Sequence, residues 1–273
     1  MTEPLIREYE KEDIPALVSL WSSVFGDSPQ LAGTFFRLLP GTGTCLVAEE
    51  NSTVCGMASI LTDLRVCLGE RCFSCAYLYA VAVDPSFRGH GLGSGLSKAA
   101  ADFGRQGGAE LICTLPADEG LYSMYEKAIG TRFCLSRSPI RIPAGLYPET
   151  VLSLSPADPA EYNRKREAIL LGRPHLSVSD SSIAFLKALC EENGGGLFVS
   201  DQCAAAYYTE GDSLHFSELL CGNEMRIPIL AQTAFAKGLS SADCPLPSVS
   251  GNKYIAYDRN ILPAEVIWNI SLD

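Results

Sequence analysis

Between Ala76 and Gly95 the chain sets a run of backbone donors beside the start of a helix. Ala76–Val83 is a short apolar run, partly β-branched and aromatic, closed by Asp84-Pro85, which suits a buried strand. Arg88-Gly89-His90-Gly91-Leu92-Gly93-Ser94-Gly95 follows, and Leu92, Leu96, Ala99, Ala100 and Phe103 then recur at helical spacing. Successive N–H groups on glycine-rich chain converge at the positive end of that helix, and the chemistry this offers is anion binding. A Walker loop needs Gly-Lys-Ser/Thr at its end, and Lys98 comes too late for one. A dinucleotide fingerprint needs a third glycine where this chain has Ser94 or Leu96.

Arg88-x-x-Gly91-x-Gly93 behind Val81-x-Val83-Asp84-Pro85 resembles the pyrophosphate-binding signature of the GNAT superfamily of acyl-CoA-dependent N-acetyltransferases. The resemblance implies acetyl-CoA as co-substrate and no metal. By the same resemblance Val81, Ala82 and Val83 lie beside the pantetheine arm and supply an N–H near the acetyl oxygen. Gly89, His90, Gly91, Leu92, Gly93 and Ser94 would hold the pyrophosphate through main-chain N–H groups. Arg88 either contacts phosphate or pins the turn through backbone carbonyls. The plainer reading is a glycine-rich loop that serves only a tight turn.

Acetyl transfer requires an amine to attack a thioester, an oxyanion to be stabilised and two protons to be managed. Family members often place a tyrosine on the helix after the fifth strand to protonate the leaving thiolate. Asp118-Glu119-Gly120-Leu121-Tyr122-Ser123-Met124-Tyr125 is similar, with Tyr125 in the tyrosine place and Asp118 in that of a cofactor-side asparagine. Tyr122, one turn earlier, is the alternative acid. A phenol near pKa 10 is comparable in basicity to a departing thiolate. For the base, relatives carry a carboxylate on the central strand, where this chain has Tyr79 and Ala80. Asp63 and Glu49 could act through water, the terminal Asp273 could be tucked into the site, or a water wire could serve.

The rest of the chain must position these groups. Its 273 residues are 47% hydrophobic and 19% charged, enough for one large domain or two ordinary ones. A formal charge of −11 repels nucleic acid and anionic membranes. No apolar run is long enough for a bilayer, and Met1-Thr2-Glu3-Pro4 lacks a secretion signal, so the expected location is cytoplasmic. The 11 cysteines are mostly read as buried, reduced thiols; Cys72-x-x-Cys75 lacks the further ligands a metal site needs.

A strand, two helices, a three-strand meander, the loop helix, a strand, a helix and a strand fill residues 1–145. Asp13 is expected to cap the first helix and Ser28 to open the second. This is the GNAT order: an α/β (α+β) fold with a mixed central sheet flanked by helices. Residues 146–273 repeat it weakly as a second, smaller GNAT-like α+β half. Strands are expected at Thr150–Leu154, Leu197–Ser200, Cys203–Thr209, Leu214–Cys221, Tyr254–Tyr257 and Val266–Ile270, with a helix around Ile229–Lys237. Where the first half has its anion loop, this one has Cys221-Gly222-Asn223-Glu224-Met225-Arg226, with a carboxylate in place of donors. It reads as a degenerate copy, or as an unrelated α+β cap.

The function implied is an N-acetyltransferase acting on a primary amine of a small molecule or peptide. The alternative is a non-catalytic acyl-CoA-binding or scaffold protein of the same fold. Neither nucleic acid nor membrane is expected as a partner, and a homo-oligomer stays open.

Overall fold

The computed structural model describes residues 4–130, 133–147, 153–248 and 252–257. They form two compact units. Unit 1 draws on Met1–Val66, Cys72–Leu135 and Asn252–Ala264; unit 2 draws on Cys67–Arg71, Ser136–Gly251 and Glu265–Asp273.

Unit 1 begins with strand β1 (Leu5–Glu8), helices α1 (Ile14–Phe25) and α2 (Pro29–Leu38), and strands β2 (Gly43–Glu50), β3 (Thr53–Leu68) and β4 (Arg71–Val83). Helix α3 (Leu92–Gln106), strand β5 (Leu111–Thr114) and helix α4 (Tyr122–Ile129) follow, and β13 (Asn252–Tyr257) returns from late in the chain. The sheet order is β1-β2-β3-β4-β5-β13. β4 and β5 are parallel, while β5 and β13 are antiparallel, so the sheet is mixed.

Local chemistry accounts for most boundaries. Ser28 accepts the Leu31 N–H at 3.1 Å and Pro29 opens α2; Gly26 ends α1 at φ +81°. Asp13 departs from expectation. A 3-10 turn at Lys11–Asp13 precedes α1, so its carboxylate accepts the Glu10 N–H at 2.7 Å and binds Arg7, leaving α1 without a side-chain cap. Helix α3 lies close on the sheet because residue 104 is glycine: a Cβ there would come within 2.8 Å of the Ala76 Cβ. Leu78, Leu96, Ala100, Ile112, Tyr125 and Ile129 share the core that this contact creates.

Unit 2 contains the rest: β6 (Phe133–Pro143, from Ser136 on), β7 (Ser155–Pro156), α5 (Pro159–Leu170), β8 (His175–Ser177) and α6 (Asp180–Glu192). β9 (Gly196–Ser200), β10 (Cys203–Glu210), β11 (Ser213–Leu220), α7 (Asn223–Ala236) and β12 (Ser241–Ser248) complete it. Its sheet order is β6-β12-β11-β10-β9-β7, with only the β11–β12 pair parallel. Asp158 caps α5 through the Glu161 N–H at 2.8 Å, and Ser179 caps α6.

Three features depart from the pattern read in the sequence. Helix α7 starts six residues before Ile229 and carries Pro228 inside it, so the proline removes one helical bond without setting the boundary. Strand β12 contains Pro245 and Pro247. Both lie past Asp243, where the β11 ladder ends, so neither is asked to donate to that neighbour. Of the strand expected at Thr150–Leu154, the described residues Ser153 and Leu154 are irregular, and the two-residue β7 follows; Val266–Ile270 lies outside the described residues.

Eight described cysteines are free and buried, whereas Cys67 and Cys72 are disulfide-bonded, which corrects the expectation of thiols for that pair. No described helix is long and apolar enough to cross a membrane.

Candidate active site

The parallel β4–β5 ladder pairs Cys75 with Leu111, Ala76 with Ile112, Tyr77 with Cys113 and Leu78 with Thr114, and ends there. β5 stops at Thr114, while β4 continues to Val83. At that last pair the buried Thr114 hydroxyl donates to the Leu78 carbonyl at 3.0 Å. Two residues on, Ala80 has φ +50°, a left-handed conformation in the middle of a strand and uncommon for any residue with a Cβ. A single residue in that conformation kinks the strand as a β-bulge does.

The other edge of β4 stays engaged, since the Asp84 N–H donates to the Cys55 carbonyl of β3 at 2.9 Å. A fork results between β4 and β5, and Val81, Ala82 and Val83 form its β4 arm. Val81 and Val83 are half-buried against the core and Ala82 is buried.

A tight turn carries the chain from the fork to α3. The Asp84 carboxylate accepts the Ser86 N–H at 2.8 Å, and Pro85–Phe87 makes one 3-10 turn. Arg88 Nε donates to the Val83 carbonyl at 3.0 Å, so of its two expected roles the turn-pinning one is occupied. Gly89 and Gly91 sit at φ +85° and +80°, where a side chain is strained, although a Cβ at either would touch nothing.

Gly91 is the N-cap of α3, and no side chain caps the helix. The Gly95 N–H donates to the Gly91 carbonyl at 2.9 Å, so the amides of Leu92, Gly93 and Ser94 precede the first helical bond. His90, Gly91 and Ser94 are exposed, and Leu92 and Gly93 partly so. Exposed donors at the positive end of a 15-residue helix suit an anion.

Gly93 also ties the loop to α4: a Cβ built on it would lie 3.7 Å from both Val83 Cγ2 and Met124 Sδ. One residue beyond Met124, the Tyr125 ring is buried in the core with Leu78 and Leu96. Burial first, then the nearby Asp118 charge, pushes its phenol up to about 12. Tyr125 therefore carries its proton throughout the neutral range. Tyr122 is half-buried against the same cluster. Asp118 is exposed, and its Oδ1 accepts the Gly120 N–H at 2.7 Å, so its carboxylate closes the turn before α4.

The carboxylates read as bases fall elsewhere. Glu49 is held by Arg7 at 2.7 and 3.0 Å, and Arg7 in turn binds Asp13. Asp63 is eight residues along β3 from Cys55, roughly 26 Å of strand from the loop end at about 3.3 Å per residue. It lines a cavity of about 310 Å3 with Thr42, Thr44, Thr62 and Phe103. Asp273 lies outside the described residues.

Thr114 and Ala80 are the two features of the fork that motif reading passes over. Threonine at a strand end carries a weak signal, whereas a Tyr-Ala-Val run carries none for a left-handed residue.

Residues 5–128 match the family model described as the acetyltransferase (GNAT) domain. This stretch is a GNAT domain. No curated protein sequence matches the chain. Among solved structures, a GCN5-related N-acetyltransferase from Kribbella flavida is 16% identical with a TM-score of 0.66, over 93% of this chain and 71% of that one. A conserved protein from Enterococcus faecalis V583, titled a probable N-acyltransferase, is 12% identical with a TM-score of 0.71, over 93% and 72%. A putative acetyltransferase from Pyrococcus horikoshii is 14% identical with a TM-score of 0.61, over 96% and 91%. At these identities the likeness is one of fold. The GNAT domain thus contains both the fork and the loop.

Proposed function

We propose that the protein transfers an acetyl group from acetyl-CoA to a primary amine of a small molecule or peptide. The observation that carries this is the fork: β4 offers an unladdered edge at Val81–Val83 and leads directly into an uncapped helix N-terminus at Gly91. An extended pantetheine arm adds to such an edge as a strand does. The diphosphate then meets the amides of the Gly89–Ser94 loop.

In this reading acetyl-CoA is held by main chain, and Arg88 keeps the loop in register with β4. The amine attacks the acetyl carbonyl, and the Val81 N–H donates to the oxygen as it becomes an oxyanion. The carbon–sulfur bond then breaks, and the thiolate leaves toward Tyr125. A phenol at about 12 is roughly 3.5 units weaker as an acid than an ordinary thiol, so complete proton transfer is uphill by roughly 5 kcal/mol. Tyr125 accordingly acts chiefly as a hydrogen-bond donor to the departing sulfur. The proton lost by the amine goes to Asp273 or to water.

Unit 2 is read as a degenerate repeat without an anion site. In support, the N-terminus of α7 is covered from within: a Cβ on Gly222 would collide with the Glu224 carboxylate.

Calorimetry with acetyl-CoA tests the first half of the proposal, and thiol release with polyamines, amino acids, aminoglycosides and peptides tests the second. Binding with no thiol released by any amine would leave an acyl-CoA-binding protein of the same fold. No uptake of the coenzyme would end both readings.

A further inference from the structure

Two thiol pairs lie inside the sheets, and their surroundings differ in a way that matters for oxidation. In unit 1 the Cys75 and Cys113 sulfurs are 3.5 Å apart; both are buried, as Cys203 and Cys221 are in unit 2, so the difference lies in the neighbouring charges. Burial, followed by the neighbouring Cys75, holds the Cys113 thiol well above the ordinary range, and nothing offsets it. No cation near Cys113 draws it toward the thiolate that reacts.

In unit 2, β10 and β11 run antiparallel with Ala204 opposite Leu220, so one step outward sets Cys203 opposite Cys221. Opposed residues on antiparallel strands have Cα atoms about 4.5 or 5.5 Å apart, inside the roughly 4.4–6.8 Å that a disulfide spans. The two thiols are close enough to influence each other's ionisation, and the neighbouring Cys203 favours the Cys221 thiolate.

Cys221 sits in surroundings that favour its thiolate. It directly precedes Gly222, the N-cap of α7, next to the exposed Gly222 and Asn223. Arg226, one turn into that helix, places its charge near the sulfur, and its Nε is buried with no hydrogen-bond acceptor. Glu224 opposes this, yet the neighbouring Cys203 thiol and the guanidinium prevail, and the thiol is drawn below its usual value. A thiolate beside a second thiol and a cation is the form that reacts.

We propose that Cys203 and Cys221 form a peroxide-oxidisable cross-strand pair, with Cys221 the attacking sulfur and Cys203 the resolving one. The Cys221 thiolate attacks one oxygen of hydrogen peroxide, the O–O bond breaks, and hydroxide leaves, giving a sulfenic acid. The Cys203 sulfur then displaces the sulfenic hydroxyl, forming the S–S bond, and the hydroxyl departs as water with the proton of Cys203. In sum, two thiols and one peroxide give a disulfide and two waters, the two electrons passing from sulfur to oxygen.

The test uses the full chain, fully reduced, exposed to hydrogen peroxide and mapped by differential alkylation and peptide mass spectrometry. The expected product is a Cys203–Cys221 cross-linked peptide that dithiothreitol reverses, with Cys75 and Cys113 still alkylated as thiols. In C203S, dimedone is expected to trap a sulfenic acid at Cys221, and R226Q should oxidise several-fold more slowly. A cross-link that joins Cys75 to Cys113 while Cys203 and Cys221 stay free would overturn the proposal. So would oxidation in R226Q at the unchanged rate. The wild-type peptide map alone decides the pairing even where a variant fails to fold.

Discussion

The Thr114 hydroxyl donates to the Leu78 carbonyl at the point where β4 and β5 part company. Both residues are buried, so that carbonyl has no ready access to water. The hydroxyl ends the ladder cleanly and keeps the first residue of the fork from closing onto β5. Thr114→Val preserves shape and removes the donor. It is expected to cost about 1–3 kcal/mol, the usual range for leaving a buried acceptor unpaired, as read from urea denaturation. On the proposed function acetyl-CoA affinity should fall with it, because this bond sets the arm along which the coenzyme is proposed to lie.

Gly91 separates conformational from steric cost. Its φ is +80° and a Cβ would meet nothing, so substitutions there are penalised through backbone preference alone. Gly91→Asn should be tolerated better than Gly91→Ala, and Gly91→Val worst, with Ala losing roughly 1–2 kcal/mol. Calorimetric affinity for acetyl-CoA should follow the same order. An equal loss for all three would mean that the loop does not need its left-handed residue.

The fold of the GNAT domain was largely legible because its signals are local. Ser28 caps α2, Gly26 stops α1, and apolar residues at helical spacing mark α3. The turn before α3 was legible for the same reason, since Gly89 and Gly91 adopt positive φ, where a side chain is strained. Features decided by distant partners were not. Strand β12 is held by β6 and β11 in spite of Pro245 and Pro247, and tertiary pairing overrides their local message. Ala80 is bent into a conformation alanine disfavours. That outcome is not written in the neighbouring residues, whereas the Asp118 turn is a local bond to the Gly120 N–H that a family-based reading passed over.

Tyr125→Phe removes one hydroxyl from a ring that is otherwise core. Acetyl-CoA affinity should hold and kcat should drop on the order of 100-fold, the scale of a lost acid or donor. With its phenol at about 12, Tyr125 stays protonated to near that pH. The wild type should therefore show no alkaline fall in kcat from this group between pH 7 and 10. A fall with a midpoint near 9 that vanishes in Tyr125→Phe would show that the bound coenzyme reverses the effect of burial.

Unit 2 rests on a buried ionic cluster, and its pH response follows from the members. Arg166 and Glu218 are fully enclosed, with Arg166 Nε 3.0 and 3.1 Å from the two carboxylate oxygens and the Tyr162 hydroxyl donating to Glu218 at 2.8 Å. Glu218→Ala strands the guanidinium and should cost roughly 3–5 kcal/mol. At the rim, Glu167 accepts from Arg166 at 2.8 Å and meets His175 Nε2 at 3.2 Å. The hydrogen bond to Glu167 raises the His175 imidazole above 6.5. Burial pushes Glu167 up, but His175 and Arg166 together outweigh it and hold the carboxyl below 4.5. The histidine contribution is complete below pH 6.5 and is lost as pH rises through its raised value. The glutamate contribution is complete above pH 4.5 and is lost as pH falls through its lowered one. The pair should therefore stabilise most between about pH 4.5 and 6.5. Denaturation of the wild type against His175→Gln should show the largest gap near pH 5.5 and a smaller one at pH 8.5; a gap that widens with alkali would refute the assignment.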